Sequence, residues 1–328
     1  MKAERHGADA RALRPYLEYG SVRDGLLGVA ARLFGVEFRR AGGAPRWHED
    51  VEAFDVLEGG RAVGRISLDM HPREGKYRHF AQFTLASGKA GRRLPEGVLV
   101  CNFPRPGAEP ALLDHAEVRT FLHELGHLLH HVLGGRVRWA AQSGVATEWD
   151  FVEAPSQLLE EWVWSPEALA GFARHHLTGE PVPAELVDRL RAADEYGKGL
   201  QVRQQMFYAA TSLELHRRDP EGLDTTALVA ELMERHTPYR HVPGTWFQAS
   251  FGHLDGYSAV YYTYMWSLVI AKDLFSAFRE AGLFDAGVGR RYRREVLEAG
   301  GTRPASELVE RFLGRPWGFE AWRRWLDA

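Results

Sequence analysis

Cysteine, long apolar runs and excess charge of either sign are all scarce in this sequence. The single cysteine, Cys101, excludes an intrachain disulfide and a cysteine-based metal cluster. The longest uncharged stretch, residues 256–271, is too short to span a bilayer and holds four tyrosines, so it predicts a buried helix. The formal net charge of −3 gives no electrostatic footprint for nucleic acid or an anionic membrane, and we expect neither partner.

A secretion signal is not visible in the first residues either. The N terminus, MKAERH, is charged, and no apolar core of the signal-peptide type follows it. We therefore expect a cytoplasmic protein, which agrees with the scarcity of cysteine. The sequence does have the length and apolar content of a globular protein, because 328 residues with 45% hydrophobic and 12% aromatic content can bury a substantial core.

The most informative string is HELGH, at residues 123–127. It lies among apolar residues at helical spacing from 112 to 133, which predict a buried amphipathic helix that ends at Gly134 and Gly135. On such a helix His123 and His127 share one face, and both can offer a ring nitrogen to one zinc ion. Glu124 is displaced by one residue and can reach a water at the metal as a general base.

A zinc hydrolase site usually has three protein ligands, so a third is needed. The acidic and apolar run from 148 to 160 predicts a second helix, with Pro155 tolerated in its first turn or at a kink. Glu153 is the expected third ligand, because 153 − 127 = 26 residues leave room for a loop that crosses back. A structural salt bridge is the alternative for Glu153. Asp150 and Glu160 are the candidates for orienting a ligand histidine.

The strings LLDHAEVRTFLHELGHLLHH and EWDFVEAPSQLLEEWVW resemble the active-site helices of the thimet oligopeptidase and oligopeptidase A family of zinc metallopeptidases. The likeness covers most of the chain from about residue 13. It continues in LDMHPREGKYRHF, VLVCNFPRP, FGHLDGYSAVYYTYMW, GRRYRREVLEAGG and FLGRPW. HExxH alone occurs in many unrelated zinc peptidases, whereas the pairing of HELGH with DFVEAPSQ is highly specific.

The resemblance implies a zincin-like metallopeptidase catalytic domain that acts on peptide substrates. It implies one Zn²⁺ ion bound by His123, His127 and Glu153, with Glu124 as the general base. The residues alone lead to the same assignment, since two imidazoles and a carboxylate are ligands that zinc accepts.

Members of this family also use a histidine and several tyrosines, from a glycine-containing loop and the next helix, to bind substrate. The matching positions are His253, Tyr257, Tyr261 and Tyr264. His253, Tyr257 or Tyr264 would in addition donate a hydrogen bond to the developing oxyanion. The spacing of the three tyrosines is equally that of an aromatic stripe packed into a core, and this alternative stays open.

Two departures from the family pattern bear on function. Family members carry a long helical N-terminal region that this chain does not match, so a partner chain that supplies it is one expectation. Residues 253–257 form a loop one residue shorter than usual, with Asp255 inside it. We expect a zinc-dependent metalloendopeptidase. The alternative is a peptide-binding or half-enzyme module with the same zinc fold, which needs a partner for turnover.

The whole pattern predicts a mainly helical α+β fold with a small twisted sheet, in a single catalytic domain over residues 1–328. Short β-prone runs predict a β-rich lobe over about 36–103, with strands at 51–56, 61–68, 80–85 and 98–103. A helical body follows over about 111–328. Helices are predicted at 16–34, 112–133, 148–160, 166–176, 183–193, 199–216, 225–235, 257–278 and 305–312.

The remaining histidine and arginine clusters predict no chemistry. The pair His130–His131 is expected at the end of the HELGH helix, and His175–His176 are expected to be solvated residues at a helix end. The arginine-rich segment 290–294 is expected to be a solvated helix face.

Overall fold

A mixed five-stranded sheet carries the first part of the fold in the computed structural model, which describes residues 10–328. The strands lie in the order β1-β2-β3-β5-β4, and all neighbours are antiparallel except β3 and β5. β4 is therefore an edge strand. The strands are β1 Glu37–Arg40, β2 Glu52–Glu58, β3 Arg61–Asp69, β4 Ala81–Ala86 and β5 Glu96–Val100.

Four of these strands match the predicted ones, and the α+β fold class is confirmed. The turn between β2 and β3 is made by Gly59 and Gly60, whose φ angles of 54° and 78° lie in the left-handed region that such hairpin turns require. β1 was not predicted. Its sequence, EFRR, is mostly charged and exposed, as is common for a short strand at a sheet edge.

Helices make up most of the chain after the sheet. Short 3₁₀ segments lie at Ala10–Tyr16, Ala140–Gln142 and Glu160–Trp164, and a π-helical turn at Arg293–Leu297. The α-helices are α1 Tyr19–Phe34, α2 His115–Leu133, α3 Ala154–Leu159, α4 Pro166–Ala170, α5 Ala184–Asp194, α6 Lys198–Arg217, α7 Thr225–His236, α8 Phe247–Ser250, α9 His253–Gly256, α10 Thr263–Ala281, α11 Ala286–Tyr292, α12 Ala305–Leu313 and α13 Glu320–Asp327.

Helix α2, which carries HELGH, lies at the centre of the structure. It begins at the cap Asp114, whose backbone N–H donates to the Glu117 carboxylate (2.7 Å). Its apolar side chains are almost fully buried against β3, β4 and β5 on one side and against α3 on another. Burial of so many leucines and valines fixes the rotation of α2, and thereby the direction in which its polar residues point.

Two predicted helices begin later than expected. The helix predicted at 148–160 starts at Ala154, with Pro155 in its first turn, and residues 148–152 form turns. The helix predicted at 257–278 starts at Thr263. Before it, Ser258 adopts φ 47°, which an α-helix cannot contain. The helix predicted at 166–176 likewise stops at Ala170.

His130 and His131 lie in the last turn of α2, as expected of a helix-end pair, and both are buried. His131 Nε2 lies 3.0 Å from the carbonyl of Glu96 and 3.2 Å from that of Ala86, so this ring ties α2 to the two strands β4 and β5. Neither ring nitrogen of His130 has a hydrogen-bond partner in the described part of the chain. His175 and His176 are at least partly exposed, as expected, although they follow α4 rather than end it.

The arginine-rich segment 290–294 is only partly a solvated face. Arg293 is buried and donates to Glu58 (2.6 Å), Glu298 (2.7 Å) and the Phe34 carbonyl (2.8 Å). This correction has a simple physical reason, since a guanidinium can be buried when its N–H groups all find acceptors.

A second, smaller packing region lies around α6 and α7. Its core comprises Phe207, Leu228, Val229 and Leu232, and it is separate from the main core around α1, α2 and the sheet. The division into a β-rich lobe and a helical body of one catalytic domain stays a prediction. Within residues 10–328, no helix is both long enough and apolar enough to cross a bilayer.

Candidate active site

The three predicted metal ligands meet at one point between α2 and α3. His123 and His127 project from α2, and Glu153 lies directly before α3. The Glu153 Oε2 atom lies 3.2 Å from His123 Nε2 and 3.1 Å from His127 Nε2. One ligand atom from each residue falls within 4.8 Å of the others, so all three can face a single ion.

Close packing at Gly126 brings the two ligand-bearing helices together. A Cβ atom at Gly126 would lie 2.6 Å from the Cα atom of Ser156 and 3.1 Å from the Pro155 carbonyl oxygen. Only glycine leaves room for α3 at this distance, so the fourth residue of HELGH sets the approach of Glu153 to the histidines.

The carboxylate of Glu153 is nearly enclosed, with 2% of the residue exposed. Its Oε1 atom accepts a hydrogen bond from the Tyr257 hydroxyl (2.8 Å) and its Oε2 atom one from the Ser156 hydroxyl (3.3 Å). Burial alone would raise the pKa of Glu153, but the neighbouring His127 and His123 hold it well below its usual range. Glu153 is therefore ionised and held in place, as an oxygen ligand of a metal ion would have to be.

Glu160 lies where a residue that orients a histidine should lie. Its Oε1 atom is 2.7 Å from His123 Nδ1, which leaves Nε2 of the same ring to face the metal position. The other oxygen accepts from Arg119 Nε (2.5 Å). Burial opposes protonation of His123, but its bonds to Glu153 and Glu160 outweigh that and raise its pKa well above the usual value.

Asp150 does not share this position, and the expectation that it orients a ligand histidine is wrong. Its carboxylate accepts a hydrogen bond from the Tyr262 hydroxyl (3.0 Å), and its backbone carbonyl accepts from Ser267 (2.9 Å). The cause is local, because residues 148–152 form turns rather than the helix that would align Asp150 with Glu153 and Glu160.

Glu124 is buried and lines the same cleft as the three ligands. Among residues 10–328, no side chain or backbone group donates a hydrogen bond to its carboxylate. The carboxylates of Glu153 and Glu160 both bond to neighbouring side chains, namely the histidines of α2 and Arg119. The carboxylate of Glu124 can therefore exchange a proton with a molecule in the cleft, whereas these two cannot.

The predicted tyrosines do not all behave alike. The rings of Tyr257 and Tyr264 stack with centroids 5.4 Å apart, and both line the cleft. Burial and the charge of Glu153 raise the pKa of both phenols. Each therefore stays protonated at neutral pH and can donate a hydrogen bond.

Tyr261 is more deeply packed, with 7% of the residue exposed. Its ring contacts Tyr208 and Phe251, and its hydroxyl donates to Gln205 on α6 (3.2 Å). Burial raises the pKa of Tyr261 to about 12. These contacts favour the packing alternative for Tyr261, although its edge also lines the cleft.

His253 lies at the start of α9, and its ring centroid is 5.0 Å from that of Tyr261 and 5.9 Å from that of Tyr264. Burial lowers the pKa of His253. The imidazole therefore stands at the mouth of the site beside the tyrosines, as a neutral ring at neutral pH.

The cleft that contains these groups has a volume of about 1210 Å³. Its floor is made by α2 and the segment around Glu153. One part of its lining is the segment 77–82 apart from Arg78, which includes the start of β4, and another part is Tyr208, Phe247 and Phe251. None of these wall residues was assigned a role from the sequence. A usable signal existed for residues 77–80, because they fall in the string LDMHPREGKYRHF, which resembles the oligopeptidase family.

Comparison with known proteins agrees with this geometry. The model of peptidase family M3 matches residues 1–327. The chain belongs to peptidase family M3. Among curated relatives in this family, oligopeptidase A of Escherichia coli (strain K12) is 36% identical over 316 residues, which are 92% of this chain and 46% of the relative. Saccharolysin of Saccharomyces cerevisiae is 32% identical over 330 residues, or 95% of this chain and 46% of that protein.

This M3 chain thus spans about half the length of the curated relatives it matches. Solved structures share its fold at low sequence identity. Pz peptidase A with inhibitor 2 aligns at a TM-score of 0.54 and 14% identity, over 79% of this chain and 42% of that one. The BsuCP crystal structure aligns at a TM-score of 0.53 and 12% identity, over 98% and 60%.

The residues present fit a zinc ion. Two imidazole nitrogens and one carboxylate oxygen converge on one point, and this donor set is common in catalytic zinc sites. Two further features of such sites are also present, namely a carboxylate that orients one histidine and an open side that faces a cleft.

Proposed function

We propose that this chain carries a zinc-dependent peptidase site that hydrolyses internal bonds of peptides, with Glu124 as general base. The observation that carries the proposal is the convergence of His123, His127 and Glu153 beside the unpaired carboxylate of Glu124, at the floor of one large cleft. Membership of peptidase family M3 supports it.

His123, His127 and Glu153 would hold the ion. When bound, zinc supplies Lewis-acid polarisation of the scissile carbonyl and lowers the pKa of a water to about 7. Glu160 and Arg119 keep the His123 ring in the orientation that this role requires.

Glu124 takes a proton from the attacking water at its carboxylate and passes it to the departing amine. One carboxyl can do both because the two proton transfers occur in sequence. The absence of a competing donor among residues 10–328 leaves both oxygens of Glu124 available. Two carboxylates nearby, those of Glu153 and Glu160, cannot substitute for it because each is committed to His123.

Negative charge that develops on the carbonyl oxygen needs a hydrogen-bond donor. Tyr257, Tyr264 and His253 stand at the cleft side of the site, and both phenols remain protonated at neutral pH. Loss of one such donor typically costs about 3 kcal/mol in the activation barrier.

The shape of the cleft supports peptides as substrates. A volume of about 1210 Å³ accommodates several residues of an extended chain, and the edge strand β4 enters the cleft with its first residues, Ala81 and Gln82. An extended peptide can pair with such an edge. The relatives' names, oligopeptidase A and saccharolysin, agree with this class of substrate.

The proposal is tested by incubating the purified chain with a mixed pool of peptides, with one equivalent of zinc or with a chelator, and reading the products by mass. We expect internal cleavage with zinc and none with the chelator. Glu124→Gln should bind zinc normally and produce no cleavage, because an amide cannot accept the proton.

Arg78→Met serves as a matched control. Arg78 is exposed, forms no bond with the described residues and lies outside the cleft lining, so its variant should cleave like the wild type. Cleavage by zinc-loaded Glu124→Gln would overturn the role of Glu124. Silence of the zinc-loaded wild type would favour the alternative, in which a partner chain is needed for turnover.

A further inference from the structure

Two family-like strings have no part in the metal site, yet they meet beside the cleft. LDMHPREGKYRHF contains the end of β3, the loop after it and residues 77–80, while VLVCNFPRP contains the end of β5 and the residues that follow. Residues 77–82 are here called the wall segment; all of them except Arg78 line the cleft that also contains His253. The structure shows what fixes the path of this segment.

The first fixed point is Lys76, directly before the wall segment. Its side chain is 3% exposed, and its ammonium donates to three backbone carbonyls: Cys101 (2.5 Å), His71 (2.7 Å) and Asp69 (2.9 Å). These carbonyls belong to the ends of two neighbouring strands and to the loop. All three N–H groups of one ammonium are thus used to tie the loop to the sheet.

The charge of Lys76 is balanced by Asp69, whose carboxylate lies 3.1 Å from the ammonium. Asp69 also accepts a bidentate pair from Arg73 (2.6 and 2.7 Å) and a bond from Trp47 (2.8 Å). Burial alone would raise the pKa of Asp69, but these donors lower it to about 2. Asp69 is therefore ionised, and its charge opposes the lowering of the Lys76 pKa that burial causes.

The second fixed point is Asn102, which follows β5. Its side-chain amide donates to the carbonyls of Tyr77 (3.1 Å) and His79 (3.2 Å). Both acceptors are backbone atoms of the wall segment itself. Asn102 thus holds the wall segment directly, at two backbone carbonyls that are two residues apart. Lys76 holds the chain just before the segment begins.

Between these two points the segment presents His79 to the cleft. The ring packs edge-on against Tyr77 (centroids 5.5 Å apart), and it lines the same cleft as His253. The width of the cleft at this place therefore depends on where the wall segment lies.

We propose that Lys76 and Asn102 are positioning residues, which hold the wall segment where a bound peptide contacts His79 and the first residues of β4. This proposal rests on the proposed function, because it assigns the peptide to this cleft. Lys76 and Asn102 do not touch the substrate. They act by restraining backbone carbonyls, and without them the wall can move away from the floor that carries the zinc ligands.

The test uses Asn102→Asp, which keeps the shape of the side chain but replaces its two N–H donors by an acceptor that repels the carbonyls of Tyr77 and His79. Lys76→Met is the second variant, and Arg78→Met is the control, since Arg78 lies in the same segment without a bond. All three are made in a Glu124→Gln background, so that bound peptide is not consumed. Zinc content and thermal unfolding are measured for each.

Two readouts are compared. Hydrogen exchange of the amides of residues 77–82 is followed by mass spectrometry, and the affinity for a fluorescein-labelled random octapeptide library is followed by anisotropy. We expect Asn102→Asp to speed the exchange and to weaken library binding, each by about ten-fold or more, at unchanged zinc content. Arg78→Met should change neither.

Unchanged exchange in Asn102→Asp would overturn the positioning role, whatever the chain binds. Loss of zinc or global unfolding in step with the loss of affinity would also overturn it, because a merely structural role predicts that result. If Lys76→Met fails to fold, Asn102→Asp alone decides. Absence of library binding by the Glu124→Gln parent would instead contradict the proposed function, so the two failures are distinguishable.

Discussion

Replacing Gly126 by alanine should separate Glu153 from the two histidines. The added Cβ would lie 2.6 Å from the Ser156 Cα atom, whereas real contacts are not shorter than 3.0 Å and ordinary ones begin at 3.4 Å, so α3 must recede by between 3.0 − 2.6 = 0.4 Å and 3.4 − 2.6 = 0.8 Å. The clashing atoms are backbone on both sides, and no side-chain rotation can relieve the contact. Glu153 lies three residues before Ser156 and moves with it.

The expected effect on the metal is large. Zinc sites tolerate deviations of only about 0.2 Å in ligand distance, so a displacement of this size weakens or removes the Glu153 bond. We expect zinc affinity to fall by about 100-fold or more, and peptide cleavage at limiting zinc to fall with it. Overpacking should also destabilise the zinc-free protein by about 1–3 kcal/mol.

Zinc affinity is measured by competition with a chromophoric chelator, and stability by chemical unfolding with the metal removed. Gly28→Ala is the matched control, because Gly28 is an exposed residue within α1 with no atom within 4 Å of an added Cβ. It should leave zinc affinity unchanged and stabilise the protein by about 0.5–1 kcal/mol. Zinc affinity of Gly126→Ala within three-fold of the wild type would refute the packing explanation.

Three further outcomes are expected. Glu160→Gln removes the charge that orients His123 and should lower zinc affinity by about 10- to 100-fold in the chelator competition, and an unchanged value would deny Glu160 this role. Asp150→Asn, whose carboxylate contacts Tyr262 instead, should change zinc affinity less than three-fold, and a loss equal to that of Glu160→Gln would contradict the structure. Burial lowers the pKa of His130 to about 3. As pH falls from about 6.5 towards 3, His130 is therefore protonated in the unfolded chain but stays neutral in the folded chain. His130 therefore lowers the free energy of unfolding by up to about 1.4 kcal/mol for each pH unit of acidification in that window. In chemical unfolding of the zinc-free protein between pH 7 and 4, the free energy of unfolding should fall less steeply for His130→Leu than for the wild type. Equal slopes for the two proteins would show that the ring is not buried and neutral.

The convergence of the three candidate metal ligands could be predicted because local rules determine their positions. His123 and His127 share a face of any helix, and the apolar residues around them specify that helix and its burial. The third ligand lies only 26 residues further on, in a string that resembles a known active-site helix. The position of Glu160 beside His123 could be predicted too, because it lies at the end of the short helix that Glu153 precedes.

The environments of several residues come from distant parts of the chain. His131 is buried because the carbonyls of Ala86 and Glu96 accept from its ring, and Arg293 because Glu58 lies 235 residues away in sequence but 2.6 Å away in space. Spacing alone cannot reveal such partners. Asp150 was misplaced for a different reason, since the first turn of α3 begins at Ala154 and no helix carries Asp150 toward the histidines.

The wall of the cleft shows a third kind of limit. The two strings that contain Lys76 and Asn102 could be singled out from their resemblance to the family. The role proposed for these two residues follows only from the backbone carbonyls that they restrain, and those carbonyls have no signature in the sequence. Backbone carbonyls are the same in every residue, so a side chain that bonds to them can be recognised only once the fold is known.

The central claim, a one-zinc peptidase site with Glu124 as its base, is tested most directly by the initial rate of peptide cleavage during a zinc titration of the metal-free chain. The rate should rise linearly and reach a plateau at one equivalent of zinc, while Glu124→Gln binds the same single equivalent and shows no cleavage. A rate independent of zinc, or an equal rate in Glu124→Gln, would contradict the account.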